Sequence, residues 1–307
     1  MYSFDNNGES LVVLEYAPKK VLTLRGYSRG GERTSILIEE LNVVFDMGYL
    51  HNKAHSYDNI IISHGHADHY GALHLHHCSR RLNKNFKQKI YIMPEYLMEN
   101  FKMLATCISF ANCGMSGKIE KSFETLINTS MLSADECMTS NNHLLDNSGN
   151  VSTYTIKSYV MKHKIRSFGY IISQLSKRLK PEFIGKPPGV LKHISANVKT
   201  HGVLTPIVGY SGDTSIEVIL IHPDMLSVPV LILECTFCDN IDDVHTESAD
   251  HIDFNDIEEN YDLFNNKCIV LFHLSQKFKA KKDILEIELR IDNLNLKNPD
   301  KKIFLFC

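Results

Sequence analysis

Residues 60–71, Ile60-Ile-Ile-Ser-His-Gly-His-Ala-Asp-His-Tyr-Gly71, constrain this chain more than any other stretch. The apolar run Ile60 to Ile62 predicts a short buried strand. At its end stand His64, His66, Asp68 and His69, all able to bind a metal. Imidazoles spaced i, i+2 at a strand end point the same way and can close on one ion. Asp68 and His69 turn away from that pair, so a second ion beside the first is the natural complement. Gly65 and Gly71 let the backbone pass tightly from strand to helix. The competing explanation is a polar loop with coincidental histidines in a chain that holds 16 of them, but ordered ligand spacing rarely arises by chance.

Bulk properties narrow the rest. A chain of 307 residues with 43% hydrophobic content can build a sizeable core, and no apolar run approaches a membrane span. The first nine residues carry acids and no basic n-region, so no secretory or transit signal is expected. A net charge of −3 excludes a generally basic nucleic-acid coat, so any RNA contact has to be local. Eight cysteines without regular spacing point to free thiols in a reducing, cytoplasmic setting. Cys235 and Cys238 have C-x-x-C spacing; without a second pair they read as ordinary thiols at a strand end.

The N-terminal region predicts strands at Leu11–Leu14, Val21–Leu24, Ser35–Ile38 and Val43–Phe45. Arg25-Gly-Tyr-Ser-Arg-Gly-Gly31 reads as a hairpin loop, because a β-branched run and no helix start follows it. Asp46 closes a strand, where it either orients a ligand imidazole or caps a turn. A helix is predicted over Ala72–Leu82, with His74, His76 and His77 partly exposed and not ligands. Further predictions are a strand at Lys89–Met93, a helix at Glu95–Leu104 after Pro94, a loop at Thr139–Asn150 and a strand at Val151–Met161. Val228–Leu233 and Cys268–Phe272 read as buried strands, Thr214 as a helix N-cap, Ala280–Leu289 as a helix and Lys302–Phe306 as the last strand.

Residues 177–206 differ in character from their surroundings. Lys177, Arg178, Lys180, Lys186, Lys192 and Lys199 face a single acid, Glu182, between positions 177 and 199. Pro181, Gly185, Pro187, Pro188 and Gly189 punctuate the same stretch. A long, basic, Gly/Pro-rich insertion between strands belongs at the surface, either as a solvated loop or as a local contact for RNA.

The stretch 64–69 resembles the HxHxDH signature of the metallo-β-lactamase-fold hydrolases. Downstream segments narrow the resemblance to the RNase Z family of tRNA 3′-processing endoribonucleases, especially the short form. They are His163-x3-Ser167-x-Gly169-Tyr170, Ser211-Gly-Asp-Thr214, Glu234-Cys-Thr-Phe237, Asp250-His-Ile-Asp253 and Phe272-His-Leu-Ser-Gln-Lys-Phe278. The likeness covers roughly residues 20–280. It implies an α/β fold, a four-layer αβ/βα sandwich, as one domain over 1–307 with 177–206 as an inserted flexible arm that grips tRNA.

The resemblance assigns His64, His66 and His163 to one ion and Asp68, His69 and His273 to another, with Asp213 bridging. Two zinc ions per chain suit these donors, and manganese is an alternative. Such ions about 3.5–4 Å apart share and acidify a water that attacks phosphorus. Asp68 is the candidate acceptor of that water's proton. His251 is the candidate to protonate the departing 3′-oxygen or steady the phosphate, and Glu234 is expected to play a supporting part. Asp253 departs from the family's Thr or His. Precursor tRNA and a homodimer are the implied partners. A small-molecule hydrolase of lactonase or thioesterase type would share the metal loop without needing the basic insertion, and a non-catalytic RNA-binding scaffold is the third reading.

Overall fold

The structure, a computed structural model, describes residues 2–4, 9–80, 89–112, 114, 129–238, 250–278 and 280–307. Its first sheet runs in sequence order through β1 (Tyr2–Phe4), β2 (Ser10–Ala17), β3 (Lys20–Arg29), β4 (Arg33–Ile38), β5 (Val43–Phe45), β6 (Asn59–Ile61), β7 (Lys89–Met93) and β8 (Thr129–Ser133). The second contains β9 (Asn142–Leu145), β10 (Val151–Met161), β11 (Ser167–Leu179), β12 (Thr200–Tyr210), β13 (Val230–Glu234), β14 (Cys268–Phe272) and β15 (Lys302–Leu305). Both sheets begin as antiparallel meanders and end in parallel strands. The change comes after β5 in the first and after β12 in the second. This shared plan is the two-halved symmetry of the fold, which no repeat in the residues announces.

The helices are α1 (Ala67–Tyr70), α2 (Leu73–Arg80), α3 (Glu95–Asn112), α4 (Ala134–Cys137), α5 (Pro188–Lys192), α6 (Ala196–Lys199), α7 (Ile216–Leu220), α8 (Pro223–Ser227), α9 (Phe254–Glu259) and α10 (Lys281–Lys297). None of them is long and apolar enough to cross a membrane. One apolar cluster lies between the sheets and joins Leu24, Ile36 and Phe45 to Ile172, Tyr210 and Phe272. A second packs α7, α9 and α10 against the outer face of the second sheet through Ile219, Ile257 and Ile291. A third packs α2 and α3 on the first sheet through Leu73 and Phe101. Helices, sheet, sheet and helices make the four-layer αβ/βα sandwich that the resemblance implied. Strands β13 and β14 read Val-Leu-Ile-Leu-Glu and Cys-Ile-Val-Leu-Phe, every residue buried, as parallel strands covered on both faces require.

Local predictions met tertiary corrections. Arg25–Gly31 is not a hairpin loop: β3 continues to Arg29, and the turn comes at Gly30–Glu32. Gly26 allows this, because its φ of 140° places the missing Cβ 2.0 Å from the Ser35 carbonyl oxygen. Thr139–Asn150 is not wholly a loop, since Asn142–Leu145 pairs with β10 and buries Leu144. Helix α3 runs on to Asn112 and α10 to Lys297, where Ile291 and Leu294 keep the apolar stripe going past a polar interruption. The predicted end of the second helix at Leu82 lies outside the described residues. His76 and His77 are buried, not partly exposed. His76 Nδ1 lies 2.9 Å from the Tyr91 hydroxyl, and the His77 ring stands edge-on to Phe101. Aromatic partners on β7 and α3 absorb rings that a single sequence leaves looking polar. The helix after residue 213 is capped at Ser215, not Thr214, whose N–H is given to Glu234.

The turn after β5 and helix α1 approach closely at Gly48. A Cβ there would lie 1.7 Å from the Asp68 carbonyl oxygen and 2.9 Å from the Thr34 nitrogen, both backbone atoms that cannot swing aside. Gly48→Ala should therefore lower stability by about 3 kcal/mol, the upper end for overpacking. A urea midpoint equal to that of the parent chain would refute this.

Candidate metal centre

The candidate site sits in the crevice at the carboxyl ends of the parallel strands, where this kind of sheet leaves backbone ends free to turn. Asp46 follows β5, His64 and His66 follow β6, Asp213 follows β12, Glu234 ends β13 and His273 follows β14. His163 comes from the turn between β10 and β11, while Asp68 and His69 lie on α1. Asp46 and His273, each one residue past a parallel strand, have φ of 57° and 71°. Side chains other than glycine hold that left-handed backbone only when their surroundings over-determine it. For Asp46 the surroundings are its N–H to Ile61 O at 2.8 Å and its carboxylate partners; for His273, its N–H to Ser28 Oγ at 3.0 Å.

The predicted donors converge into two cages. In the first, the rings of His64, His66 and His163 stand steeply inclined to one another, with centroids 4.7–4.9 Å apart. His66 Nδ1 lies 3.0 Å from His64 Nε2 and 3.1 Å from His163 Nε2. In the second cage, His69 Nε2 and His273 Nε2 lie 3.5 and 3.3 Å from Asp68 Oδ2. Asp213 belongs to both. Its Oδ2 is 3.4 Å from His69 Nε2, 3.3 Å from His273 Nε2, 3.7 Å from His64 Nε2 and 4.0 Å from His163 Nε2. Ligand atoms held about 2.0–2.1 Å from a tetrahedral ion stand about 3.3 Å apart, close to these separations.

Partners behind each ring decide which nitrogen faces inward. Asp46 accepts at Oδ2 from His69 Nδ1 (2.8 Å) and from the Tyr210 hydroxyl, and at Oδ1 from the Ser63 N–H (2.7 Å). The Ser63 hydroxyl donates to Asp46 and so is left to accept from His64 Nδ1 at 2.9 Å. His163 Nδ1 donates to Asp250 O at 3.2 Å. Thr236 Oγ1 donates to Glu234 at 2.8 Å and accepts from His273 Nδ1 at 2.9 Å. In each case the outer partner accepts the Nδ1 hydrogen bond, so that Nε2 faces the cage and can give its lone pair to a metal once any proton on it has left. Asp68 Oδ2 is steered by the Gly31 N–H at 2.7 Å. Among the described residues the buried Asp213 Oδ1 has no hydrogen-bond partner, and His69 Nε2 meets only the carboxylates of Asp68 and Asp213, at 3.5 and 3.4 Å, which fits residues that hold a cation.

Electrostatics agree with that fit. Burial, followed by neighbouring imidazoles, holds His64 well below the ordinary histidine range, and burial also lowers His66 and His163, so all three are neutral donors. Burial disfavours a charged His69, but the carboxylates of Asp213 and Asp46 push it well above that range. Burial would raise Asp68 and Asp213. Hydrogen bonds from His273 and His69 hold Asp68 below the carboxylate range, and the charges of His273 and then His69 do the same for Asp213.

His251 lies beside the cages, its ring stacked 5.5 Å from that of His273. Its Nδ1 is 3.0 Å from Glu234 Oε1 and 3.1 Å from Thr236 Oγ1. Burial works against a positive imidazole, yet the hydrogen bond and charge of Glu234 push it up to about 9. Asp253 is the N-cap of α9, bonded to the Asn255 N–H at 2.8 Å and paired with Asp256 in a capping box. The acid at the family's Thr or His position therefore serves the helix end.

Residue-by-residue reading overlooked Thr236, Ser63, Gly31 and Tyr96. Thr236 lies inside Glu234–Phe237, and only the fold shows its hydroxyl joining Glu234, His251 and His273. Tyr96 accepts from the Gly65 N–H at 3.0 Å and donates to Arg166 O at 3.1 Å, tying the first histidine loop to the His163 turn. The basic residues 177–206 form the outer half of the β11–β12 hairpin. The strands pair as far as Leu179 and Thr200, and α5 and α6 lie in the tip. Lys177, Arg178, Lys186 and Lys192 are exposed there, and Lys180 partly so.

No family model matches the chain. The sequence is 29% identical over 273 residues to a tRNase Z of Arabidopsis thaliana, a match spanning 86% of this chain and 90% of that one. It is 26% identical over 276 residues to a chloroplastic tRNase Z of the same plant, spanning 88% of this chain and 72% of the other. Among solved structures, the metallo-β-lactamase fold protein YhfI from Bacillus subtilis is similar at a TM-score of 0.56 and 15% identity. Human tRNase Z, short form, is similar at a TM-score of 0.51 and 14% identity. Both superpositions cover 91% of this chain and 93% of the other, and they show the shared fold.

The role of the outer partners is open to test through Asp46. An amide can accept at only one of its two ends, so Asp46→Asn leaves the donors from Ser63, His69 and Tyr210 partly unmet. Zinc affinity, measured by competition with a chromophoric chelator, should fall about 10–100-fold. Unchanged affinity would mean that Asp46 does not orient His69.

Proposed function

We propose that this chain is an RNase Z of the metallo-β-lactamase superfamily, a metal-dependent endoribonuclease that removes the 3′ trailer from precursor tRNA. The observation that carries the reading is Asp213 Oδ2 facing four imidazoles at 3.3–4.0 Å between two donor cages. Support among known proteins comes from the likeness to a plant tRNase Z over most of both chains. Imidazole and carboxylate donors with tetrahedral spacing favour two zinc ions, with manganese as the alternative. Divalent ions held there would supply an acidified water and positive charge facing the phosphate oxygens.

The remaining steps belong to side chains of this chain. Asp68, ionised and steered by the Gly31 N–H, is placed to take the proton of the attacking water. His251, positively charged against Glu234, is placed to give a proton to the departing 3′-oxygen or to steady the phosphate. Glu234 keeps that proton available, and Thr236 holds the His251–Glu234 pair in register with His273. The products would be tRNA with a 3′-hydroxyl and a trailer with a 5′-phosphate.

The hairpin tip is proposed to grip the RNA. Exposed Lys177, Arg178, Lys186 and Lys192 concentrate positive charge on a chain of net −3, the local contact that such a total leaves room for. A homodimer and a cytoplasmic location complete the proposal, the second on its free thiols. The name of one relative places that protein in the chloroplast, so cell fractionation decides the compartment.

His64→Ala should reduce precursor-tRNA cleavage to background and lower bound zinc; retained cleavage would remove the metal-loop assignment. Replacing Lys177, Arg178, Lys180, Lys186 and Lys192 by Ala should raise KM for precursor tRNA about tenfold or more. Hydrolysis of bis(p-nitrophenyl) phosphate should not change. Equal damage to both substrates would show that the arm supports the fold and does not hold RNA.

A further inference from the structure

One chemical group near the centre has no part in the mechanism. Cys235 and Cys238 bring their sulfurs to 4.0 Å, and both thiols are free. They bracket Thr236 and Phe237, in the segment just beyond β13 that forms a wall of the site. That wall is clamped by its backbone: Cys235 N–H to Phe272 O at 2.8 Å, Thr236 N–H to Ile252 O at 3.0 Å, and Ser275 N–H to Thr236 O at 2.9 Å. Thr236 is also where His273, His251 and Glu234 meet. A change in the pair is thus one residue from the hydroxyl that orients a candidate metal ligand.

We propose that Cys235 and Cys238 form a redox-modification site, a dithiol that small-molecule disulfides close and thiols reopen, and whose closure loosens the metal centre. The regulatory part rests on the reading of the centre as a hydrolytic metal site; the modification itself does not.

The chemistry follows from placement. Cys238 is partly exposed and Cys235 is 2% exposed, so an oxidant meets Cys238 first. The adjacent Cys238 sulfur and then burial push the Cys235 thiol up, which keeps it protonated until the second step. The Cys238 thiolate attacks one sulfur of a disulfide such as oxidised glutathione, forming a mixed disulfide and releasing one thiolate. Cys235 then loses its proton and attacks Cys238 Sγ, breaking the mixed bond and releasing the second thiolate. The two protons from the cysteines end on the two leaving thiols. Two electrons pass from the dithiol to the glutathione disulfide.

Bonding requires the sulfurs to move from 4.0 Å to about 2.05 Å, and in this proposal part of that movement is taken up by the segment that carries Thr236. His273 would then lose the partner that turns its Nε2 lone pair inward, and His251 would lose its register with Glu234.

The test uses the zinc-loaded full-length protein equilibrated with oxidised or reduced glutathione, then alkylated and mapped by mass spectrometry. The expected result is a Cys235–Cys238 cross-linked peptide, zinc release to 4-(2-pyridylazo)resorcinol at least fivefold faster, and precursor-tRNA cleavage at least fivefold slower. Dithiothreitol should reverse all three. Cys238→Ser and, separately, Cys235→Ser should keep the reduced protein's zinc release and cleavage in either glutathione mixture. Absence of the cross-link, or a cross-link that leaves zinc release unchanged, overturns the proposal. So does equal oxidative loss in both serine variants, which would trace the effect to other thiols. A reduced protein that cleaves no precursor tRNA overturns the functional reading alone, because mapping and zinc release need no RNA.

Discussion

Imidazole nitrogens and carboxylate oxygens pointing at one another are the constraint around which this molecule is arranged. His64, His163, His69 and His273 are each turned by an outer acceptor so that Nε2 faces inward, toward Asp213 and its neighbours. Such a cluster is unfavourable in a dry interior unless positive charge joins it. Metal cations held there would satisfy both the geometry and the charge. The surrounding hydrogen bonds are what keep the protein from relieving the conflict by rotating the rings away.

The scaffold meets this constraint through a repeated plan. Each half starts as an antiparallel meander and finishes in parallel strands, so the ends of β5, β6, β12, β13 and β14 open on one crevice. Parallel strands need both faces covered, and α2 and α3 on one side and α7, α9 and α10 on the other provide that cover. The left-handed residues Asp46 and His273 occupy matching positions, each the first residue beyond a parallel strand. Among the described residues these are two of the four non-glycine residues with left-handed backbone, the others being Lys19 and Asn42.

Charge is distributed by the same logic. The chain as a whole is slightly acidic, yet its hairpin tip is basic and exposed. The antiparallel pairing of β11 and β12 carries those residues outward while their inner halves stay in the sheet. A polyanionic partner would meet positive charge at the projecting end and a pair of candidate cation cages at the strand ends.

The candidate donors His64, His66, Asp68 and His69 were legible in the residues alone, because donor spacing at a strand end is local chemistry, whereas His163, Asp213 and His273 came only through the family resemblance. The core strands were legible for the same reason: Val-Leu-Ile-Leu and Cys-Ile-Val-Leu-Phe have no other way to hide. The basic hairpin was legible as a break in composition, although its boundary was not, since pairing carries the strands to Leu179 and Thr200. What was misjudged depended on contacts distant in sequence. The burial of His76 and His77 needs Tyr91 and Phe101, and the extension of β3 through Gly26 needs the Ser35 backbone beside it. Thr236 gains its place only when β13, β14 and the His251 segment come together. Sequence determined which atoms are available to hold charge; tertiary packing decided which lone pair each ring presents, because that depends on the acceptor behind it.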